Sequence, residues 1–275
     1  MIADYTFSDH GAPALMLHCM LGRARDWQGL LEALSTPLAA RGFDLPGYGR
    51  SEPWDGEEDL HAYCTALARE RYRPGDVVIG HSFGATLALR LALEGGSALR
   101  ALVLIEPVLF AIARGTPEAA AQAPHDAALA EAFSQGEHGT AARAFLAQWS
   151  AGPPFRLLPH DKQARIVARM DMVRATAGVL NEDSVGLLGQ GRLEALDLPV
   201  LLLRGSDSPP VIEAINRALA ARMPRARAAV VQGAGHMAPI THPTETAALI
   251  DRFLADKLQP RKTRCSEAAA GFSNN

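Results

Sequence analysis

Short apolar runs recur along this chain, and each breaks off in turn residues or a helical pattern. They are "ALMLHC", "AARGFDLPG", "DVVIGHS", "ALVLIEP", "LPVLLLRGS" and "ARAAVVQGAG". Unbroken apolar runs of this length suit strands buried on both faces, as in a parallel sheet covered by helices. The segments between them carry helical spacing. Trp27, Leu30, Leu31 and Leu34 share one face, as do Leu60, Tyr63 and Leu67. The alternation predicts an α/β fold with a mostly parallel central sheet flanked by helices.

Between about Val108 and Leu196 the alternation stops and the chain turns helical. Thr116 is placed to N-cap a helix that begins at Pro117. "RIVARMDMVRATAGVL" spaces Ile166, Met170, Val173 and Ala177 as one helix ending near Gly178, while Pro153 and Pro154 break the region. Strands resume afterwards, so the expectation is a core of residues 1–107 and 195–260 with a helical lid, 108–194, inserted between two strands. Residues 261–275 lack apolar periodicity and are expected to form a flexible tail.

Composition removes whole classes of function. At 275 residues, 48% apolar and net charge −3, the chain has no field for nucleic acid or anionic lipid. Three cysteines, Cys19, Cys64 and Cys265, are too few for a disulfide framework and lack metal-type spacing with histidine. No signal-peptide pattern opens the sequence, and the longest apolar stretch is too short to span a bilayer. The expectation is a cytoplasmic protein acting on a small molecule, without nucleic acid, membrane, metal or cofactor.

Chemistry enters at Gly80-His81-Ser82-Phe83-Gly84, where an apolar strand meets an Ala- and Leu-rich helix. A strand–turn–helix junction this tight needs near-absent side chains two residues either side of the serine, and it exposes the hydroxyl at the sheet edge. Ser82 is therefore the candidate nucleophile. Its base must lie beyond the last strand, where His236 follows a small-residue turn; His242, beside Pro243, reads as structural. For the acid, Asp207 in the turn "RGSDS" has the right chain order and is preferred, with Glu106 at the end of "ALVLIEP" as the alternative. The backbone N–H groups of Phe83 and Met20 are the candidate oxyanion donors.

These motifs, with "FDLPGYGRS" and "HCMLG", resemble the α/β-hydrolase superfamily, specifically its esterase-like members with a helical lid. The resemblance runs from about Ala14 to Leu258 and implies a serine hydrolase that cleaves a carboxylic ester of a small-to-medium substrate through an acyl-enzyme. Some enzymes of this architecture take their acid from the position of Glu106. Dehalogenases and epoxide hydrolases of the fold carry aspartate at the elbow and do not fit. Hydrolysis of a C–C, lactone or amide bond stays open on the same scaffold, with Arg156, Arg165 and Arg169 available to grip a carboxylated substrate, as does slow-turnover ligand sensing. The resemblance departs at Cys19, where the family usually has glycine. Cys19, Trp149 and Phe155 are the candidate pocket residues, and the N-terminal hairpin is expected to be trimmed.

Overall fold

The computed structural model describes residues 1–95, 98–255 and 257. The strands are β1 (Asp4–Thr6), β2 (Ala12–Leu17), β3 (Leu38–Phe43), β4 (Val77–His81), β5 (Ala101–Ile105), β6 (Val200–Gly205) and β7 (Ala226–Val231). They form one sheet in the order β1-β3-β2-β4-β5-β6-β7. Only β1 runs antiparallel, against β3. β1 is a three-residue strand at the edge of the sheet.

The helices are α1 (Gln28–Ala33), α2 (Leu60–Arg71), α3 (Phe83–Leu93), α4 (Pro117–Ser134), α5 (His138–Trp149), α6 (His160–Val167), α7 (Met170–Ala175), α8 (Ala177–Glu182), α9 (Pro210–Arg222), α10 (Ala238–Thr241) and α11 (Pro243–Ala255). Successive strand residues alternate between two cores because side chains in a strand point to opposite faces. Leu15, Val78, Leu102 and Leu202 pack with α2, α3 and α9, represented by Leu67, Leu87 and Ile215. Met16, Ile79, Val103 and Leu203 pack with Leu30 of α1 and Ile250 and Phe253 of α11. Among the described residues no helix is long and apolar enough to cross a membrane.

Helices α4 to α8 lie between β5 and β6 in the chain. Thr116 caps α4 by accepting from the Ala119 N–H. The single helix expected over "RIVARMDMVRATAGVL" is instead three, broken around Ala168 and Thr176. The reason is a conflict of faces. Ile166, Met170 and Val173 bury in a small core built mainly by the insertion, with Leu21 packed against it. Met172, Val179 and Leu180 bury in the main core. One straight helix cannot serve both. Thr176 marks the second break by donating its hydroxyl to the Val173 carbonyl. The tail expected at 261–275 lies outside the described residues.

Parallel strands bring their C-terminal ends to one edge, and the strand order reverses between β2 and β4. Clefts form at such reversal points. The register sharpens the placement. His81 pairs with Ile105 across β4 and β5, so Ser82 and Glu106 emerge side by side one residue later. Their backbones continue the ladder: Ser82 N–H donates to Ile105 O at 2.8 Å, and Glu106 N–H donates to Leu203 O at 2.8 Å.

Candidate active site

Ser82 occupies the turn from β4 to α3 with φ +56° and ψ −117°. A Cβ at Gly84 would stand 2.1 Å from the Leu17 carbonyl oxygen, and one at Gly80 would stand 2.3 Å from that of Gly84. Both obstacles are backbone, which cannot swing away. Gly84→Ala is expected to destabilise the fold by about 3 kcal/mol or more, lowering the thermal midpoint by about 6 °C or more. A melting curve with a smaller drop would contradict this close packing.

The serine hydroxyl lies 2.9 Å from Nε2 of His236, whose Nδ1 lies 2.9 Å from Oε2 of Glu106. With Nδ1–H donating to the carboxylate, Nε2 is the free acceptor for the Ser82 proton. All three side chains are buried, Glu106 completely. Glu106 holds φ +54°, a left-handed value that costs a non-glycine residue about 1–2 kcal/mol. Of the four non-glycine residues with positive φ among those described, three surround this site: Leu21, Ser82 and Glu106. Such strain persists where the surroundings enforce it, and it clusters at functional sites.

The expectation for Asp207 is corrected here. Asp207 is exposed, and its Oδ1 accepts from the Ser206 hydroxyl at 2.8 Å. The turn it occupies reaches the site through other atoms. The Gly205 N–H and the Ser208 hydroxyl both donate to Oε1 of Glu106, at 2.6 and 2.7 Å. The nearer carboxylate is the one at the end of β5, because β5 is the strand next to the nucleophile. Ser208 escaped the sequence reading. Its signal, a hydroxyl three residues beyond a strand end, is too common to stand out.

His236 is held from behind by His81, whose Nε2–H donates to the His236 carbonyl at 2.8 Å. Burial, reinforced by the facing His236, pushes His81 down to about 3, so it acts as a neutral donor. The indole of Trp149 meets the His236 ring edge-on with centroids 4.7 Å apart. His242 stands at the entry to α11, its Nδ1 beside the Thr241 hydroxyl at 2.9 Å, outside the cleft.

Met20 and Phe83 line the cleft together with Ser82 and His236. Phe83 opens α3, where the first N–H groups have no intrahelical acceptor. Met20 sits in a turn closed by the Gly22 N–H donating to Cys19 O at 3.1 Å. His18 fixes this turn: its Nδ1–H donates to Cys19 O at 2.7 Å, and its Nε2 accepts the Leu45 N–H at 2.9 Å. The "FDLPGYGRS" loop is fastened by Asp44, which accepts from the N–H groups of Ala24 and Arg50 and from the Tyr5 hydroxyl.

Of the three candidate pocket residues, Trp149 lines the cleft and two do not. Cys19 packs behind the Met20 turn, so close to Gly22 that a Cβ there would sit 3.0 Å from its Sγ. Burial pushes its thiol up to about 12 and keeps it protonated. Phe155 packs into the insertion's own core. The cleft, about 410 Å³, has walls of Val108, Phe110, Phe133, Phe145, Val173 and Leu180. Its rim carries Asp126 and Arg174. Arg156, Arg165 and Arg169 stand elsewhere; Arg165 pairs with Asp161, and Arg169 donates to the Gly47 carbonyl. Among the described residues no cluster of three or more His, Cys, Asp or Glu could hold a metal ion.

Residues 14–249 match the model of the alpha/beta hydrolase family. The chain belongs to the alpha/beta hydrolase family. Within it, this hydrolase-fold chain is 26% identical to the pimeloyl-[acyl-carrier protein] methyl ester esterase of Aeromonas hydrophila, over 89% of its own length and 96% of the relative. It is 37% identical to the lipase LipV of Mycobacterium tuberculosis over a shorter stretch, 40% of this chain and less than half (44%) of the lipase. An alpha/beta hydrolase from Sphaerobacter thermophilus superposes with a TM-score of 0.66 at 21% identity, covering 92% of this chain and 96% of that one.

Proposed function

We propose that this alpha/beta hydrolase is a serine esterase for neutral carboxylic esters of small-to-medium size, working through an acyl-enzyme. The carrying observation is the hydrogen-bonded chain Ser82–His236–Glu106 at the floor of an apolar cleft. In the proposed mechanism, His236 Nε2 takes the Ser82 proton as Oγ attacks the ester carbonyl carbon. The Glu106 carboxylate holds the imidazole and stabilises its positive charge. The N–H groups of Phe83 and Met20 bind the tetrahedral oxyanion. The C–O bond then breaks, and the alcohol departs with the proton from His236. Water, deprotonated by the same nitrogen, attacks the acyl-enzyme, releases the acid and returns the proton to Ser82.

The apolar walls favour an uncharged chain or ring over a carboxylated substrate: Arg156, Arg165 and Arg169 stand outside the cleft, and Arg174 on its rim is paired with Asp171 at 3.0 Å. Relatives named as an esterase and a lipase support ester cleavage as the reaction. The test is turnover of p-nitrophenyl esters from acetate to laurate. With each buried methylene contributing about 0.8 kcal/mol, kcat/KM is expected to rise about fourfold per carbon until the cleft is full, then fall. Absence of turnover on every ester, in protein shown to be folded, would overturn the esterase reading.

A further inference from the structure

We propose that Ser208 is a positioning residue for the reaction, holding the Glu106 carboxylate in the plane that aims Oε2 at His236; the inference rests on the acid role given to Glu106 above. Glutamate has one more rotatable bond than aspartate between backbone and carboxylate, so the longer side chain needs pinning that an aspartate would not. The structure supplies the pins on the far oxygen. Oε1 accepts from the Gly205 N–H at 2.6 Å and from the Ser208 hydroxyl at 2.7 Å, leaving Oε2 to His236 at 2.9 Å. Two donors on one oxygen and one on the other fix the carboxylate about its last torsion. Without Ser208, the Gly205 N–H alone would hold that oxygen.

The backbone that carries the hydroxyl is itself restricted. Ser208 precedes Pro209 and Pro210, and a residue before proline is confined to extended backbone. Pro210 then opens α9, whose Ile212 and Ile215 are fully buried. Among the described residues, the charged and titratable groups around this turn are engaged elsewhere. Asp207 is bonded to Ser206, Arg204 is paired with Glu213 at 3.0 Å, and His81 is a neutral donor to the His236 carbonyl. The turn after β6, where the sequence placed the acid itself, thus contributes the clamp on an acid from the neighbouring strand.

The experiment is steady-state kinetics of the full chain on the best p-nitrophenyl ester, comparing Ser208→Ala, Ser208→Thr, Ser208→Cys, Glu106→Gln and the double variant Glu106→Gln/Ser208→Ala. Ser208 stands outside the cleft lining, so Ser208→Ala is expected to lower kcat about tenfold, the equivalent of one charge-assisted hydrogen bond, with KM unchanged. Ser208→Thr, which keeps the hydroxyl, recovers most of the loss. Ser208→Cys, close in size with a weaker donor, falls between, which separates the lost bond from a lost fit. In the Glu106→Gln background the alanine change adds less than about twofold, because its effect runs through the carboxylate. If Ser208→Ala is inert while Glu106→Gln is crippled, or if the two losses multiply, the positioning role is overturned and the acid stands. If Glu106→Gln turns over like the unmodified chain, the acid reading falls, and this inference with it.

Discussion

Replacing Glu106 by glutamine is expected to lower kcat about 10⁴-fold, while Asp207→Asn stays within about twofold of the unmodified chain. The first effect follows from tautomer control. The carboxylate accepts from His236 Nδ1 at 2.9 Å and so keeps the proton on that nitrogen. A glutamine presenting its NH₂ there would donate to Nδ1, moving the ring proton to Nε2, where it faces Ser82 and cannot accept. The second effect follows from exposure: Asp207 meets Ser206 and solvent. Initial rates of the two variants under saturating ester decide the matter. A larger loss in Asp207→Asn would restore the acid to the turn after β6.

Removing the nucleophile is expected to be costlier still. Ser82→Ala is expected to lose on the order of 10⁶ in kcat, the scale seen when a triad serine is deleted and only oxyanion stabilisation and binding remain. The cleft walls do not depend on the hydroxyl, so ester binding should survive the change. Intact-mass analysis after treatment with an alkyl phosphonate ester gives an independent readout: one adduct on the unmodified chain, none on Ser82→Ala. The buried, protonated Cys19 offers no competing nucleophile. An adduct that persisted in Ser82→Ala would remove the serine from the mechanism.

The parts of this site that were legible in the sequence are those that local chemistry dictates. Gly80 and Gly84 around Ser82 can be read because a sharp junction tolerates nothing larger, and His236 because a small-residue turn frees it to lean over the sheet. The preference for Asp207 over Glu106, which the hydrogen bond to His236 reverses, has an equally physical reason. Asp207 sits among turn formers, where aspartate is at home whether or not it does chemistry. Glu106 carried the stronger signal: a charge closing the buried run "ALVLI", in a strand that the order β4–β5 sets beside the nucleophile. Strand order is a long-range property that periodicity does not encode. The pocket was hardest to read. Phe155 and Trp149 flank the same Pro-Pro break, yet Trp149 faces His236 and Phe155 the insertion's core, because Trp149 closes α5 on the main core while Phe155 opens the next turn after the break.

One consequence follows from where the helical insertion leaves the sheet. It departs at Pro107, the residue directly after Glu106, and brings Trp149 back against the imidazole, with Phe110 packed against Trp149. An acid planted in the turn after β6 would be indifferent to how those helices shift. Here the insertion and the carboxylate proposed as the acid share one peptide junction, Glu106–Pro107. On the acid role proposed for Glu106, a substitution that displaces the first residues of the insertion is expected to change which esters enter and how fast they are cleaved together, as coupled changes in KM and kcat.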